Sequence, residues 1–492
     1  MVSGLAINPA GADGIVVNGE GIAIEDNVIT NANIGINLPD IDGTVAIVRN
    51  QISTTADDGI FLGALNGTDN ATITVADNIL DTIGEEEIVD DQNSDPIPGA
   101  RGIEFEGILD DATANITVNN NQISNTIDDG IFVGNIQVNG TATITVADNT
   151  LDAAGSRGIE VGSILEDATA NITVANNQIT DAQNDSIFVD DIEGNTVATI
   201  TVSGNVIDAA NVDSLVAGGD GIEFDLIENN ANATITVANN QISNVAFEGI
   251  EFDDIEDDAI ATITIENNQI NSNETGIEFD EVENRANATI AITGNTITVV
   301  DEEGIFFDDL ENDTVSNITI ADNTILGAAT QGIEFDFIEN NANATINISN
   351  NQISNVGEEG IFIDDIENNA TAEITVTGNT ITNAGDNGIE LDLIENNANV
   401  TATVTDNTIT NPGANGVSIE HTANTDLCLA LDNNTVTNPG GDGFELLSNG
   451  AGEFQILDQA NVTARNVGTF NPADIETNAD FVEGTTGVAP CP

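Results

Sequence analysis

The sequence predicts an all-β chain, a parallel β-solenoid of about fifteen coils, and three observations carry that reading. A Gly-Ile pair recurs at Gly102, Gly130 and Gly158, has Ser186 in the Gly place once, and continues at Gly221, Gly249, Gly276, Gly304, Gly332, Gly360 and Gly388. Gly416-Val417 and Gly443-Phe444 extend it, mostly in steps of 28 residues. An Asn-x-Ile/Leu/Val anchor keeps its own register at Asn27, Asn50 and Asn78, then from Asn121 through Asn240 and on to Asn434. Between the anchors apolar residues alternate with period two, which is strand spacing.

Each coil reads as three strands. In Ala233-Thr234-Ile235-Thr236-Val237 the apolar residues point one way and the two Thr the other. Gln241-Ile242-Ser243 supplies a second strand, and Gly249-Ile250-Glu251-Phe252 a third with Ile and Phe inward. Asn, Asp and Gly clusters between them are turn residues. Coils stacked about 4.8 Å apart would place like on like, as in the rows Phe224, Phe252, Phe279, Phe307, Phe335 and Ile235, Ile263, Ile290, Ile318, Ile346, in a rod on the order of 70 Å long. An Asn in every coil would bond its amide to the next, each bond contributing about 1 kcal/mol and fixing register.

The Asn-x-Ile followed about ten residues later by Gly-Ile resembles the right-handed parallel β-helix repeat of the pectate-lyase-like superfamily, from about Gly14 to Phe444. The resemblance implies a right-handed coil. It leaves activity open, because that superfamily holds lyases, hydrolases, epimerases, adhesins and inert stalks. Its pectate-lyase and polygalacturonase members use Arg, clustered Asp and His, and its epimerases use Tyr and His. Here Tyr and Lys are absent, and the sole His421 reads as a solvated turn residue.

The repeat domain is read as residues 1–448 and a capping tail as 449–492. Leu5 and Ile7 already look like strand with no cap before them, which reads as a segment of a larger protein. Two insertions, 85–98 and 211–218, fall just before the Gly-Ile strand and could wall a groove about 19 Å long. Cys428 on an outward position and Cys491 in the tail are the pair that could close one disulfide clip.

Of 492 residues 85 are Asp or Glu and 5 are Arg, giving a formal charge of −80. Five cations make no basic face, so nucleic acid and anionic membrane surfaces are excluded as partners. No apolar run has the length of a transmembrane helix, so membrane insertion is not expected, and no secretory signal opens the chain.

Three outward faces could carry function. The first is a double acidic row: Asp190, Asp225, Asp253, Asp280, Asp308, Asp336, Asp364 and Asp392, with Glu193, Glu228, Glu256, Glu283, Glu311, Glu339, Glu367 and Glu395 three residues on. Carboxylates about 4.8 Å apart repel by about 0.9 kcal/mol in water, so the rows call for cations, with Ca2+ bridging adjacent coils as the specific form. The second is a double row of Thr, such as Thr143/Thr145 and Thr234/Thr236, which resembles the ice-binding face of β-solenoid antifreeze proteins; Asn115, Asn171, Ala291 and Glu373 interrupt it. The third alternates Glu104, Phe132, Glu160 and Phe188 beside Arg101 and Arg157, between the two insertions. Phe in an exposed row can stack on sugar rings, and Glu104 and Glu160 would stand about 9.6 Å apart, at the edge of the inverting-glycosidase range.

The function expected from these residues is a non-catalytic rod, extracellular or at the cell surface, acting as a stalk, matrix component or adhesin. Its partners would be cations, polysaccharide or neighbouring β-helix rods, and it would require no cofactor. The alternative is a polysaccharide lyase or hydrolase using the groove between the insertions; ice binding through the Thr rows is a weaker one.

Overall fold

The computed structural model describes residues 1–84, 99–209, 219–298, 300–422, 425–448, 454–457, 462 and 464–468. It is an all-β parallel solenoid of about 14 turns with a repeat of roughly 28 residues. Two compact units divide the chain, Met1–Phe247 and Glu248–Pro492.

In the first unit three parallel sheets each take one strand from every coil. The long sheet includes Asn70–Ala76, Thr113–Asn119, Thr141–Ala147, Thr169–Ala175, Val197–Ser203 and Asn232–Ala238. Its register puts Ile116 beside Ile144, Ile172, Ile200 and Ile235 in turn, so identical β-branched side chains meet at the coil spacing. The second sheet includes Gln122–Thr126, Thr150–Ala154 and Gln178–Thr180; the third includes Ile103–Phe105, Ile131–Val133, Ile159–Val161 and Ile187–Val189.

The second unit repeats the plan with longer third-sheet strands, among them Ile277–Val282, Ile305–Leu310, Ile333–Ile338, Ile361–Ile366 and Ile389–Ile394. Inside it Phe252, Phe279, Phe307 and Phe335 stack with centroids 4.7–4.8 Å apart and planes within 3°. All four rings are buried, each contributing about 2–3 kcal/mol.

The repeat residues have visible causes. Each anchor Asn follows a residue in the left-handed region, such as Asn120, Asp148, Asn176 or Asp322, which is where Asn, Asp and Gly are tolerated. The buried anchor then bonds forward: the Asn149 backbone N–H and Nδ2 both donate to Asn177 Oδ1 at 3.0 Å, and Asn149 Nδ2 also donates to the Val118 carbonyl. The same pattern runs from Asn27 to Asn205 in the first unit and from Asn295 to Asn434 in the second. The Gly of Gly-Ile lies where adjacent coils leave no room for a side chain. A Cβ on Gly304 would come 2.5 Å from the Gly332 carbonyl oxygen and 2.6 Å from Ile325 Cγ2. Ser186 shows that one coil accommodates the intrusion, buried at 2% exposure.

The insertions 85–98 and 211–218 lie outside the described residues, as does Cys491. Where the tail is described it extends the repeat: Phe454–Ile456 pairs with Leu427–Leu429, and Asn466 accepts from Asn434 as a further anchor.

Candidate functional site

The Arg–Glu–Phe row sits on the third sheet of the first unit, and its register explains its chemistry. Ile103, Ile131, Ile159 and Ile187 pair in turn, so Glu104, Phe132, Glu160 and Phe188 form one row. Directly before the Gly-Ile pairs runs a second row, Asp58, Arg101, Asp129, Arg157, Asp185. The two rows alternate together. From Asp58 to Phe188, coils with Arg before Gly carry Glu in the strand and coils with Asp there carry Phe; the next coil, with Asp220 and Glu223, departs from the rule.

Arg101 Nη1 is 3.3 Å from Glu104 Oε1, and its Nε donates to Asp129 Oδ2 at 2.9 Å. The guanidinium lies 3.7 Å over the Phe132 ring. Arg157 repeats the arrangement two coils on, with Glu160 at 3.1 Å, Asp185 at 3.1 Å and the Phe188 ring at 3.4 Å. Asp129 joins the two, because its Oδ1 accepts the Arg157 backbone N–H. Each Arg therefore spans two coils, with a carboxylate of its own coil, a carboxylate of the next and an aromatic face beneath it. Burial, then the Asp129 charge, pushes the Glu160 carboxyl up to about 7. Burial pushes Glu104 up against the pull of Arg101, and burial followed by the Glu104 charge pushes Asp58 up to about 8.

This corrects the reading of an exposed aromatic row. Phe188 is 3% exposed and Phe132 is half-buried, so neither presents an open ring to a sugar. The second unit keeps the same two-coil alternation with neutral partners: Thr275 with Glu278, Glu303 with Phe306, Gln331 with Glu334, Glu359 with Phe362, Asn387 with Glu390. Thr275 Oγ1 donates to Glu303, Gln331 Nε2 to Glu359 and Asn387 Nδ2 to Glu390. The row before Gly was available to a sequence reading, but its meaning appears only when residues 31 apart, Arg101 and Phe132, are seen in contact.

The two acidic rows behave differently from each other. In the second unit the Glu row is interleaved with amides. Asn312 Nδ2 donates to Glu283 Oε2 at 3.0 Å and Glu311 Oε1 at 2.7 Å; Asn340 then joins Glu311 to Glu339, Asn368 joins Glu339 to Glu367, and Asn396 joins Glu367 to Glu395. Asn284 joins Glu256 to Glu283 likewise. Each of these Asn holds the left-handed turn that aims its amide between coils, with φ of 52–56°. Burial, then the neighbouring Glu311, pushes Glu283 and Glu339 up to about 7. A groove of about 740 Å³ runs along these turns, with Asn340, Asn341, Asn368 and Asn369 among its walls.

The Asp row is set closer to the core of the coil. Asp364 Oδ1 is buried without a hydrogen-bond partner, and burial with Asp365 pushes its carboxyl up to about 7. Asp336 is pushed to about 6 by burial and Asp308. In the first unit Asp190, Asp191 and Asp225 bring carboxylate oxygens within 4.8 Å of one another, and Ser163 Oγ donates to Asp190. The remaining Asp-row members are Asp253, Asp280 and Asp392, and Glu193 and Glu228 complete the Glu row in the first unit.

His421 is a correction. It is not a solvated turn residue but fully buried, in register with Ile394 on an inward row. Its Nε2 donates to the Thr425 carbonyl at 2.8 Å, Nδ1 lies 3.3 Å from Ser448 Oγ, and the ring rests near Phe454. Cys428 does fall in the outward row with Thr401, at 8% exposure.

A family model described as "Right handed beta helix region" matches residues 220–401. The chain is a β-helix repeat protein. No curated protein matches it in sequence. Among solved structures the β-helix is similar to "Crystal structure of PfbA, a surface adhesin of Streptococcus pneumoniae", at 12% identity over 82% of this chain and 85% of that one, with a TM-score of 0.33.

Proposed function

We propose that this β-helix is a non-catalytic scaffold, extracellular or at the cell surface, serving as a stalk, matrix component or adhesin. One observation carries the proposal: Arg101, Arg157, Glu104 and Glu160, the residues a carbohydrate-active site would use, are bonded to one another and to their neighbours in a pattern that recurs along the chain. A general acid must be free to reach a leaving group and an Arg clamp must be free to meet an anion. Cys428 supports the placement outside the cell, since Cys491 is its one possible partner within the chain and a clip needs an oxidising compartment; a free Cys428 thiol in the purified, unreduced chain would remove that support. The test is a depolymerisation panel of neutral and acidic polysaccharides with the purified chain. No new reducing ends or unsaturated products are expected, and reproducible turnover of any of them would favour the lyase or hydrolase alternative.

Ca2+ belongs to the same proposal, narrowed to the Asp row. The Glu row of the second unit already has amide donors, whereas in the Asp row Asp364 Oδ1 is buried without a hydrogen-bond partner and Asp336 stands one coil away. Millimolar Ca2+ is expected to raise the melting temperature by a few degrees more than Na+ of equal ionic strength, by mass action on the folded state. Asp336→Asn with Asp364→Asn should remove the difference. Equal stabilisation by both salts would leave only screening.

A further inference from the structure

The long sheet of the first unit has a broad outward face that carries no charge over six consecutive coils. Six of its strands, from Asn70–Ala76 to Asn232–Ala238, each present four outward positions, while the earlier strands Gly19–Glu25 and Ile41–Val48 bring Glu20, Glu25 and Asp42 to its edge. Not one outward position of the six carries a charge; the residues are Thr, Asn, Ala, Val and Ser. The innermost of the Thr rows is unbroken through Thr74, Thr117, Thr145, Thr173, Thr201 and Thr236. The corresponding face of the second unit carries Glu266, Glu373, Asp426 and Asp432. In a chain with a formal charge of −80 this is a broad neutral patch; the second sheet of the second unit has a narrower uncharged face of shorter strands, such as Thr296–Thr298, Thr380–Thr382 and Thr408–Thr410.

We propose that this face is where two copies of the chain meet, sheet against sheet. Three features select a second copy as the occupant. The first is charge: contact through most other surfaces would set carboxylates against carboxylates, while this face opposes none to none. The second is pitch. Two copies have the same coil spacing, so rows of Thr and Asn on one meet rows of equal pitch on the other, methyl against methyl and hydroxyl against amide, with the sheets about 10 Å apart. The third is area. Seven residues at about 3.3 Å and six strands at about 4.8 Å give roughly 600 Å² per copy, hence roughly 1,200 Å² in all, the lower end of a specific interface. Val197, 48% exposed on this face, would be covered. The acidic rim, with Asp77 and Asp148 at the strand ends, repels its counterpart, so association strengthens as salt screens it. The inference does not rest on the stalk reading, since a catalytic β-helix could pair through the same face.

The experiment is sedimentation of the full chain between about 0.05 M and about 1 M NaCl. A reversible dimer that grows with salt is expected. Thr145→Asp with Thr201→Asp should weaken it by about 100-fold, because four like charges would be brought into one dry interface. Asn171→Asp, nearly isosteric, should weaken it in the same direction if the double variant does not fold. Gln122→Glu with Gln178→Glu adds equal charge on exposed positions of the second sheet and should leave the dimer intact. A monomer at every salt concentration would overturn the proposal, and so would a dimer indifferent to charge at Thr145, Thr201 and Asn171.

Discussion

Asn177→Ala is expected to lower the unfolding free energy by about 5 kcal/mol, the largest effect of any single polar substitution in the repeat. The side chain accepts from the Asn149 N–H and Nδ2, and its Nδ2 donates to Asn205 Oδ1 and the Val146 carbonyl. Alanine would leave all four partners with a lost bond at a buried position, each costing about 1–3 kcal/mol less whatever relaxation recovers. Asn177→Asp separates donor from acceptor. It keeps the acceptor for Asn149, loses both donated bonds and buries a charge, so its cost should shrink on acidification as the carboxyl takes a proton. Urea or thermal unfolding of the two variants at neutral and acidic pH is the measurement. An Ala variant as stable as the parent would mean that the anchors decorate the coil and do not hold it.

The second unit is expected to become more stable as pH falls from about 8 to about 5, with a melting temperature higher by roughly 10 °C at the acid end. Burial and neighbouring carboxylates push Glu278 to about 9, Glu334 to about 8, and Glu359 and Asp364 to about 7. Asp309 and Asp336 are pushed to about 6. The ordinary values are 3.8 for Asp and 4.5 for Glu, so across this window the folded chain binds protons that the unfolded chain has released. Stability then rises with falling pH and levels off below about 4, where both states are protonated. Many of these groups are partly exposed, which holds the shift to roughly 10 °C and not several times that. Melting curves from pH 8 to pH 4 decide it, and a melting temperature that falls on acidification to pH 5 would contradict the account.

What the sequence made legible was whatever repeats at a fixed step. The Gly-Ile pair, the anchor Asn and the alternating strand each follow from a local steric or hydrogen-bonding need that recurs in every coil, so periodicity alone exposed them. The partners of the outward side chains were not legible in the same way. Arg157 meets Phe188 and Asp185 only through the stacking of coils, and its neighbour in sequence, Glu160, accounts for one contact of three. The amide ladder was hidden because Asn312 looked like an ordinary turn residue, although it joins Glu283 to Glu311. His421 misled because its setting Ile419-Glu420-His421-Thr422 is polar, while its register places it beside Ile394 on the inward row. Asn466 was missed for a simpler reason: it follows Asn434 by 32 residues, outside the usual step.

On the proposed function the Arg–Glu–Phe row serves structure and not turnover. Arg157→Gln tests it most directly, with thermal unfolding and polysaccharide turnover measured on the same preparation. Removing the guanidinium would leave Glu160 and Asp185 without their cation and uncover the buried Phe188 ring. The account predicts a loss of about 2–3 kcal/mol, seen as a melting temperature lower by several degrees, with no turnover before or after the change. A variant that melts with the parent but loses a turnover the parent possessed would contradict it.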